Sequence, residues 1–233
     1  SFEIEDFEHK GTPKPGEISL AHQGVLFLDE LPEFSRSVLE VLREPLESGQ
    51  ILISRVAAQT SYPASFQLVA AMNPCPCGYL GSKRCSCSLD QIIRYQHKIS
   101  GPLLDRIDLQ VQVSAIENQQ LLDQDRKADG DSNQQIQLRV CKAREVQMQR
   151  QGKINAHLTS QELNQLCPLN SELKALLDQA IDRFGLSTRG FYRVLKVARS
   201  LADLADISHP QLPQYQEALS YRSTMDKRAE IKS

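Results

Sequence analysis

Four consecutive apolar residues, Val25-Leu26-Phe27-Leu28, run directly into two carboxylates, Asp29-Glu30. A strand that is apolar on both faces asks to be covered on both, which predicts a parallel sheet flanked by helices. In such sheets the chemistry gathers beyond the carboxyl ends of the strands, and that is where the two acids stand. An acid pair there suits a motor ATPase, in which one carboxylate sits near Mg²⁺ and another beside the attacking water. A solvated acidic turn is the plainer reading of the same six residues.

The surrounding segments agree with an α/β class. Ser35 is placed to cap a helix bearing Val38, Leu39, Val41, Leu42 and Leu46, which Ser48-Gly49 ends. Ile51 to Val56 and Thr60 to Pro63 read as a hairpin, and Phe66 to Met72 as a second buried strand ending at Asn73-Pro74. A helix around Gln91 to Ile99 leads to Gly101-Pro102, and Ile107 to Val113 reads as a further strand. Strand, helix, hairpin, strand, helix, strand is the order of an α/β sheet.

Gln, Asp, Gly and Asn crowd together between Asn118 and Gln135, which marks a linker. Beyond it the pattern turns helical: Ile136 to Gln151 with a thin apolar stripe, Ser160 to Leu166 capped by Thr159 or Ser160, and Ser171 to Phe184 closed by Gly185. Ser187 caps a last helix on which Phe191, Val194, Leu195, Ala198, Leu201 and Ala202 share a face. The expected division is therefore a leader over 1–12, an α/β core over 13–117, a linker over 118–135 and a small all-helical domain over 136–233.

Charge narrows the partners. Lys and Arg total 27 against 29 Asp and Glu among 233 residues, so nucleic-acid binding must come from local patches. No apolar run reaches membrane-spanning length, and Ser1 to Lys10 is acidic and aromatic where a signal peptide is basic and apolar, so a cytoplasmic location is expected. Four of the six cysteines fall in Cys75-x-Cys77 and Cys85-x-Cys87, on a loop with Gly78 and Gly81. Four thiolates at that spacing predict a closed, structural Zn²⁺ site; four free or disulfide-prone thiols are the alternative.

Other residues admit two readings each. Asn73 at a strand tip can orient a water or contact a γ-phosphate, or simply make the turn before Pro74. Arg106 at a strand start can serve as an arginine finger, or pair with Asp105 and Asp108. Arg189, Arg193 and Lys196, spaced i, i+4 and i+7, form a basic stripe or a solvated helix face.

The segments Gly16–His22, Gly24–Phe34, Ala70–Gly78, Ser100–Asp108 and Ser187–Leu204 resemble the magnesium-chelatase-like competence proteins of the ComM/YifB family of AAA+ ATPases, over about Pro13 to Arg222. The resemblance implies a partial AAA+ α/β core with a helical lid, and ATP and Mg²⁺ as cofactors. It implies that Asp29 and Glu30 are the Walker B pair with Asp29 at Mg²⁺, and that Asn73 is sensor 1. By the same resemblance Arg106 is the arginine finger, and Arg189 the sensor 2 arginine with Arg193 beside it. The hairpin bearing Arg55 is similar to a pore hairpin that contacts DNA. The family implies a ring, in all expectation a hexamer, working as a DNA translocase or helicase in branch migration during natural transformation. Magnesium-chelatase and MoxR-like chaperones, which remodel proteins or insert metals, share this ATPase arrangement and are the alternative.

One departure stands out. The family's phosphate-binding loop, G-x-x-x-x-G-K-[ST], does not occur in the sequence. The expectation is a C-terminal fragment, without the Walker A loop or the family's N-terminal protease-like domain, and inactive toward ATP by itself.

Overall fold

The computed structural model describes residues 15–55, 58–113 and 130–222, with the side chains of residues 54–59 outside that description. The expected leader over 1–12 and residues 118–129 of the expected linker lie outside the described residues. The chain forms two compact units, Ser1–Ile107 and Asp108–Ser233.

In the first unit a short helix, α1 (Glu17–Leu20), precedes strand β1 (Val25–Leu28). Helix α2 (Arg36–Val41) starts where the Ser35 hydroxyl accepts the Val38 amide at 3.4 Å. The chain then bends into α3 (Pro45–Ser48), which opens on Pro45 and closes at Gly49 with φ of 69°, a value that needs glycine. Strands β2 (Gln50–Arg55) and β3 (Ala58–Pro63) pair antiparallel from Gln50↔Pro63 to Arg55↔Ala58, as the hairpin pattern predicts. Strand β4 (Gln67–Ala70) returns beside β1, parallel to it and in register from Val25↔Gln67 to Leu28↔Ala70. Helix α4 (Leu89–Gln96) begins in a reciprocal capping box between Ser88 and Gln91, and α5 (Gly101–Leu104) carries Pro102 in its first turn. Leu26, Leu28, Leu39, Ile92, Ile99 and Leu103 are buried and supply the core of this unit.

Three expectations for this half need correction. One concerns the second strand expected to be buried: β4 has no buried residue, with Val69 39% exposed, because it edges an open two-stranded ribbon. The apolar run of β1 predicts burial on both faces, yet only Leu26 and Leu28 are buried while Val25 and Phe27 are 58% and 59% exposed. Among the described residues β1 pairs only with β4, so helices and loops cover one face of a two-stranded ribbon and leave the other open. The strand predicted over Ile107 to Val113 is irregular chain instead, with Val111 and Val113 exposed. Apolar alternation makes a strand only where a neighbouring backbone completes its ladder, and none of the described strands lies beside it.

The second unit is helical: α6 (Asn133–Gln151), α7 (Ser160–Leu166), α8 (Ser171–Phe184), α9 (Thr188–Leu204) and α10 (Leu212–Ser220). Its caps follow the sequence, with Ser132, Thr159, Asn170 and Ser187 each accepting an amide of the first turn and Gly152 and Gly185 closing α6 and α8 in the left-handed region. Helix α6 begins ahead of the predicted Ile136 because Ser132 and Gln135 form a capping box. Val194, Leu195 and Ala198 of α9 are fully buried against Leu163, Leu177 and Tyr215.

A polar knot is buried beside that core. Asp203 accepts from Arg150 Nη1 and Nη2 at 2.5 and 3.0 Å, from Arg199 Nη2 at 2.8 Å and from Asn155 Nδ2 at 2.8 Å. Arg199 also donates to the carbonyls of Ser208 and Ile207 at 2.6 and 2.9 Å, which ties the exit of α9 to its own last turns. Burial alone would raise the Asp203 carboxyl, but the bonds from Arg150 and Asn155 outweigh it and hold the group below its ordinary 3.8. At the mouth of α7 the Lys153 ammonium and the Thr159 amide and hydroxyl hold Glu162 down at about 2. Both folded-state values are depressed, so both contributions are complete above pH 4.5 and fade as pH falls through the folded values. Helical-unit melting temperature should fall between about pH 4.5 and about 2. Asp203→Ala should abolish the Asp203 part of that slope at a cost of about 3 kcal/mol, because it strands two guanidinium groups; circular dichroism melts across the range check both.

Candidate functional site

The site edge is built by the β1–β4 pair. Past the last ladder position Ala71 donates to Leu28 O at 2.9 Å, and Leu31 donates back to Ala71 O at 3.0 Å, so both chains leave the ribbon at one edge. Asp29 and Glu30 emerge there and are exposed, as is Asn73. Glu30 sits at φ 51° and ψ 46°, a left-handed conformation that costs a non-glycine residue about 1 kcal/mol or more. Its amide donates to Asp29 Oδ1 at 2.8 Å, which engages one oxygen of that exposed carboxylate. Strain of this kind persists where surrounding structure enforces it, here the Leu31–Ala71 bond and the buried turn Leu31–Pro32. Oxygen donors in this arrangement suit a hard cation such as Mg²⁺.

Tyr95 of α4 lies beneath this edge and is only 7% exposed. Burial first, and then the charges of Glu33, Glu30 and Cys75, push its phenol up, while a backbone hydrogen bond from Asn73 opposes them. Tyr95 therefore touches or senses the acid pair, the amide residue and the cysteine loop. Sequence patterning marks it only as the apolar residue three positions after Ile92, and nothing in the sequence announces this role.

The four cysteines of the loop converge. Cys75 Sγ lies 3.5 Å from Cys77 Sγ and 3.9 Å from Cys85 Sγ, Cys77 Sγ lies 3.6 Å from Cys85 Sγ, and the whole set with Cys87 lies within 4.8 Å. Zinc–thiolate bonds of about 2.3 Å in a tetrahedron separate the sulfurs by about 3.8 Å, so this cage has the right size. The backbone amides of Tyr79 and Ser86 point at Cys77 and bring its thiol down to about 6, while desolvation lifts Cys87 to about 11. Amides aimed at a ligand sulfur are the outer contacts that a metal-bound thiolate uses.

The remaining candidates are placed as follows. Arg106 is buried within the first unit, its Nε donating to Arg43 O at 3.0 Å, Nη1 to Pro102 O at 2.7 Å and Nη2 to Glu47 Oε2 at 2.6 Å. These acceptors hold the guanidinium inward within the first unit. Arg55 closes β2, and its side chain lies outside the described residues. Arg189 is exposed in the first turn of α9. Arg193 is paired with Asp108 Oδ1 at 2.5 Å, and Lys196 donates to Ala156 O at 2.6 Å. Burial and the neighbouring Arg193 push the Lys196 ammonium down from its ordinary value.

A parallel strand pair that presents two acids at one tip and an amide residue at the next, followed by a helical unit with a basic stripe, belongs to the AAA+ class of α/β ATPase folds. Family comparison agrees: the model for magnesium chelatase, subunit ChlI, matches residues 9–121, and that for its C-terminal part matches residues 130–222. The chain belongs to this magnesium-chelatase-like family, with the ATPase likeness it implies. It is 49% identical over 211 residues to Competence protein ComM of Haemophilus influenzae and 48% identical over 211 residues to Uncharacterized protein YifB of Escherichia coli. Each match covers 91% of this chain and 41% of the relative. Uncharacterized protein Rv2897c of Mycobacterium tuberculosis is 43% identical over 222 residues, 94% of this chain and 43% of that protein. The chain thus spans about two fifths of the length of these relatives. Among the described residues no helix is long and apolar enough to cross a membrane.

The Arg106 contacts make a further expectation. Glu47→Ala leaves a buried guanidinium without its counter-charge and should cost the first unit about 2 kcal/mol, with Glu47→Gln milder; urea titration followed by Tyr fluorescence checks it.

Proposed function

We propose that this chain carries the metal-and-water half of an ATP-hydrolysing site in a ring-forming motor that works on DNA. The observation that supports it most directly is the shared edge of Asp29, Glu30 and Asn73, with Glu30 held in a strained conformation. In this reading Mg²⁺ supplies charge neutralisation at the nucleotide phosphates. Asp29 offers its free oxygen to the cation, Glu30 orients the attacking water, and Asn73 contacts the γ-phosphate. Arg189 and Arg193 serve as phosphate-responsive arginines of the helical unit. Arg106 acts on a neighbour's nucleotide only after exchanging Glu47 for that phosphate.

Support for DNA as the partner comes from likeness to a protein named for competence and from the β2–β3 hairpin that ends in Arg55. A hexameric ring acting as a branch-migration helicase in natural transformation is the form this proposal takes. We also assign a structural Zn²⁺ to Cys75, Cys77, Cys85 and Cys87; elemental analysis should return one zinc per chain, and none would remove that assignment.

The chain alone should hydrolyse no ATP above background, since no phosphate-cradling loop sequence is present in it. In a longer protein that contains this segment, DNA should raise turnover, and Glu30→Gln should lower it by about a hundredfold or more. Turnover indifferent to both DNA and Glu30→Gln overturns the proposal; binding of a protein client that is insensitive to salt, with no DNA binding, favours the chaperone alternative.

A further inference from the structure

The cysteine loop begins two residues beyond Asn73 and folds back over it. Between Pro74 and Ser88 there is neither helix nor strand, and the loop's own backbone bonds are local turns: Gly78 to Cys75 O at 3.0 Å, Ser82 to Tyr79 O at 3.0 Å and Cys85 to Ser82 O at 3.1 Å. Cys75 is its sole fully buried residue, so the loop has almost no apolar core. A segment this short and this poor in burial is held closed by whatever joins its cysteines.

Three juxtapositions carry that closure to Asn73. A Cβ added at Gly78 would stand 3.7 Å from Asn73 Oδ1, so the loop backbone passes within one methyl group's width of the amide side chain, at a φ of 79° that favours glycine. Gln96 of α4 donates to Pro74 O at 2.9 Å and pins the residue between Asn73 and the first thiolate. The Tyr95 phenol, one residue earlier on the same helix, is buried beside Asn73 and Cys75, whose backbone amide and charge both act on its ionisation.

We infer that the metal held by the four thiolates is the clamp that positions Asn73, so that metal loading sets the geometry of the edge shared with Asp29 and Glu30. This rests on the zinc assignment made above. Asn73, Tyr95 and Gly78 are positioned by the loop, and the metal acts on the edge only through them. Loss of the metal frees the loop, withdraws the Gly78 backbone from beside the Asn73 amide and loosens the seat of Asn73 next to Tyr95. The β2–β3 hairpin and the helical unit share none of these contacts and keep their order.

The test is hydrogen exchange read at single amides by NMR on the zinc-loaded chain, on the same chain after chelation, and on Tyr95→Phe. Chelation should speed exchange of the Asn73 and Gly78 amides by about tenfold or more, leaving β2–β3 and the α9 amides unchanged. Tyr95→Phe should keep one zinc per chain yet speed exchange at Asn73 alone. A chain that never binds zinc removes the assignment beneath the inference. A chain that binds and releases zinc with Asn73 exchange unchanged overturns the clamp alone, as does faster exchange spread evenly over both units.

Discussion

Two backbone hydrogen bonds, Ala71 to Leu28 O and Leu31 to Ala71 O, determine where the polar chemistry of the first unit is assembled. They extend the β1–β4 register by one step and then turn both chains away at the same place. Because the pairing is parallel, both strands end at that edge, and the residues that follow each of them meet. An antiparallel pair would have put Asp29 and Asn73 at opposite ends. The left-handed Glu30 is a consequence: with Leu31 anchored to Ala71 and then buried, the residue between strand and anchor has to absorb the turn.

Much of this was legible in the sequence because it rests on local rules. Ser35, Thr159 and Ser187 act as caps, Gly49 and Gly185 as stops, and the hairpin pairs where its two β-rich runs fall. The position of the acid pair follows from a strand running into carboxylates. What escaped was set by the identity of neighbours. The residues 107–113 have strand-like alternation but lack a ladder partner among the described strands, and Val25 and Phe27 are apolar without being covered. A pattern reports what a residue would gain from burial; it does not report whether anything is there to bury it.

The charged residues show the same limit more sharply. Arg106 is readable as a functional arginine or as the partner of Asp105 and Asp108; the structure gives it Glu47 and the Arg43 carbonyl from segments far away in sequence, and the Pro102 carbonyl four residues back. Arg193 pairs with Asp108, which the sequence reading had given to Arg106. Arg199 and Asp203, at i and i+4 of one helix, organise a knot with Arg150 and Asn155. Side-chain chemistry is local, but the choice of counter-charge belongs to the tertiary structure, and several nearby carboxylates are equivalent until the chain has folded.

The two units solve one problem by different means. Each must fix a polar cluster, and the helical unit does so beside its apolar core with a fully bonded carboxylate between two guanidinium groups. Such a cluster is rigid and holds as long as Asp203 keeps its charge. The loop after Asn73 gathers four cysteine sulfurs within 4.8 Å of one another, a cage of the kind that a metal closes. A permanent brace suits a scaffold, whereas a removable one suits an edge whose residues have to be adjusted. The sulfur cage begins two residues beyond Asn73, so whatever closes the cage acts on that strand tip first.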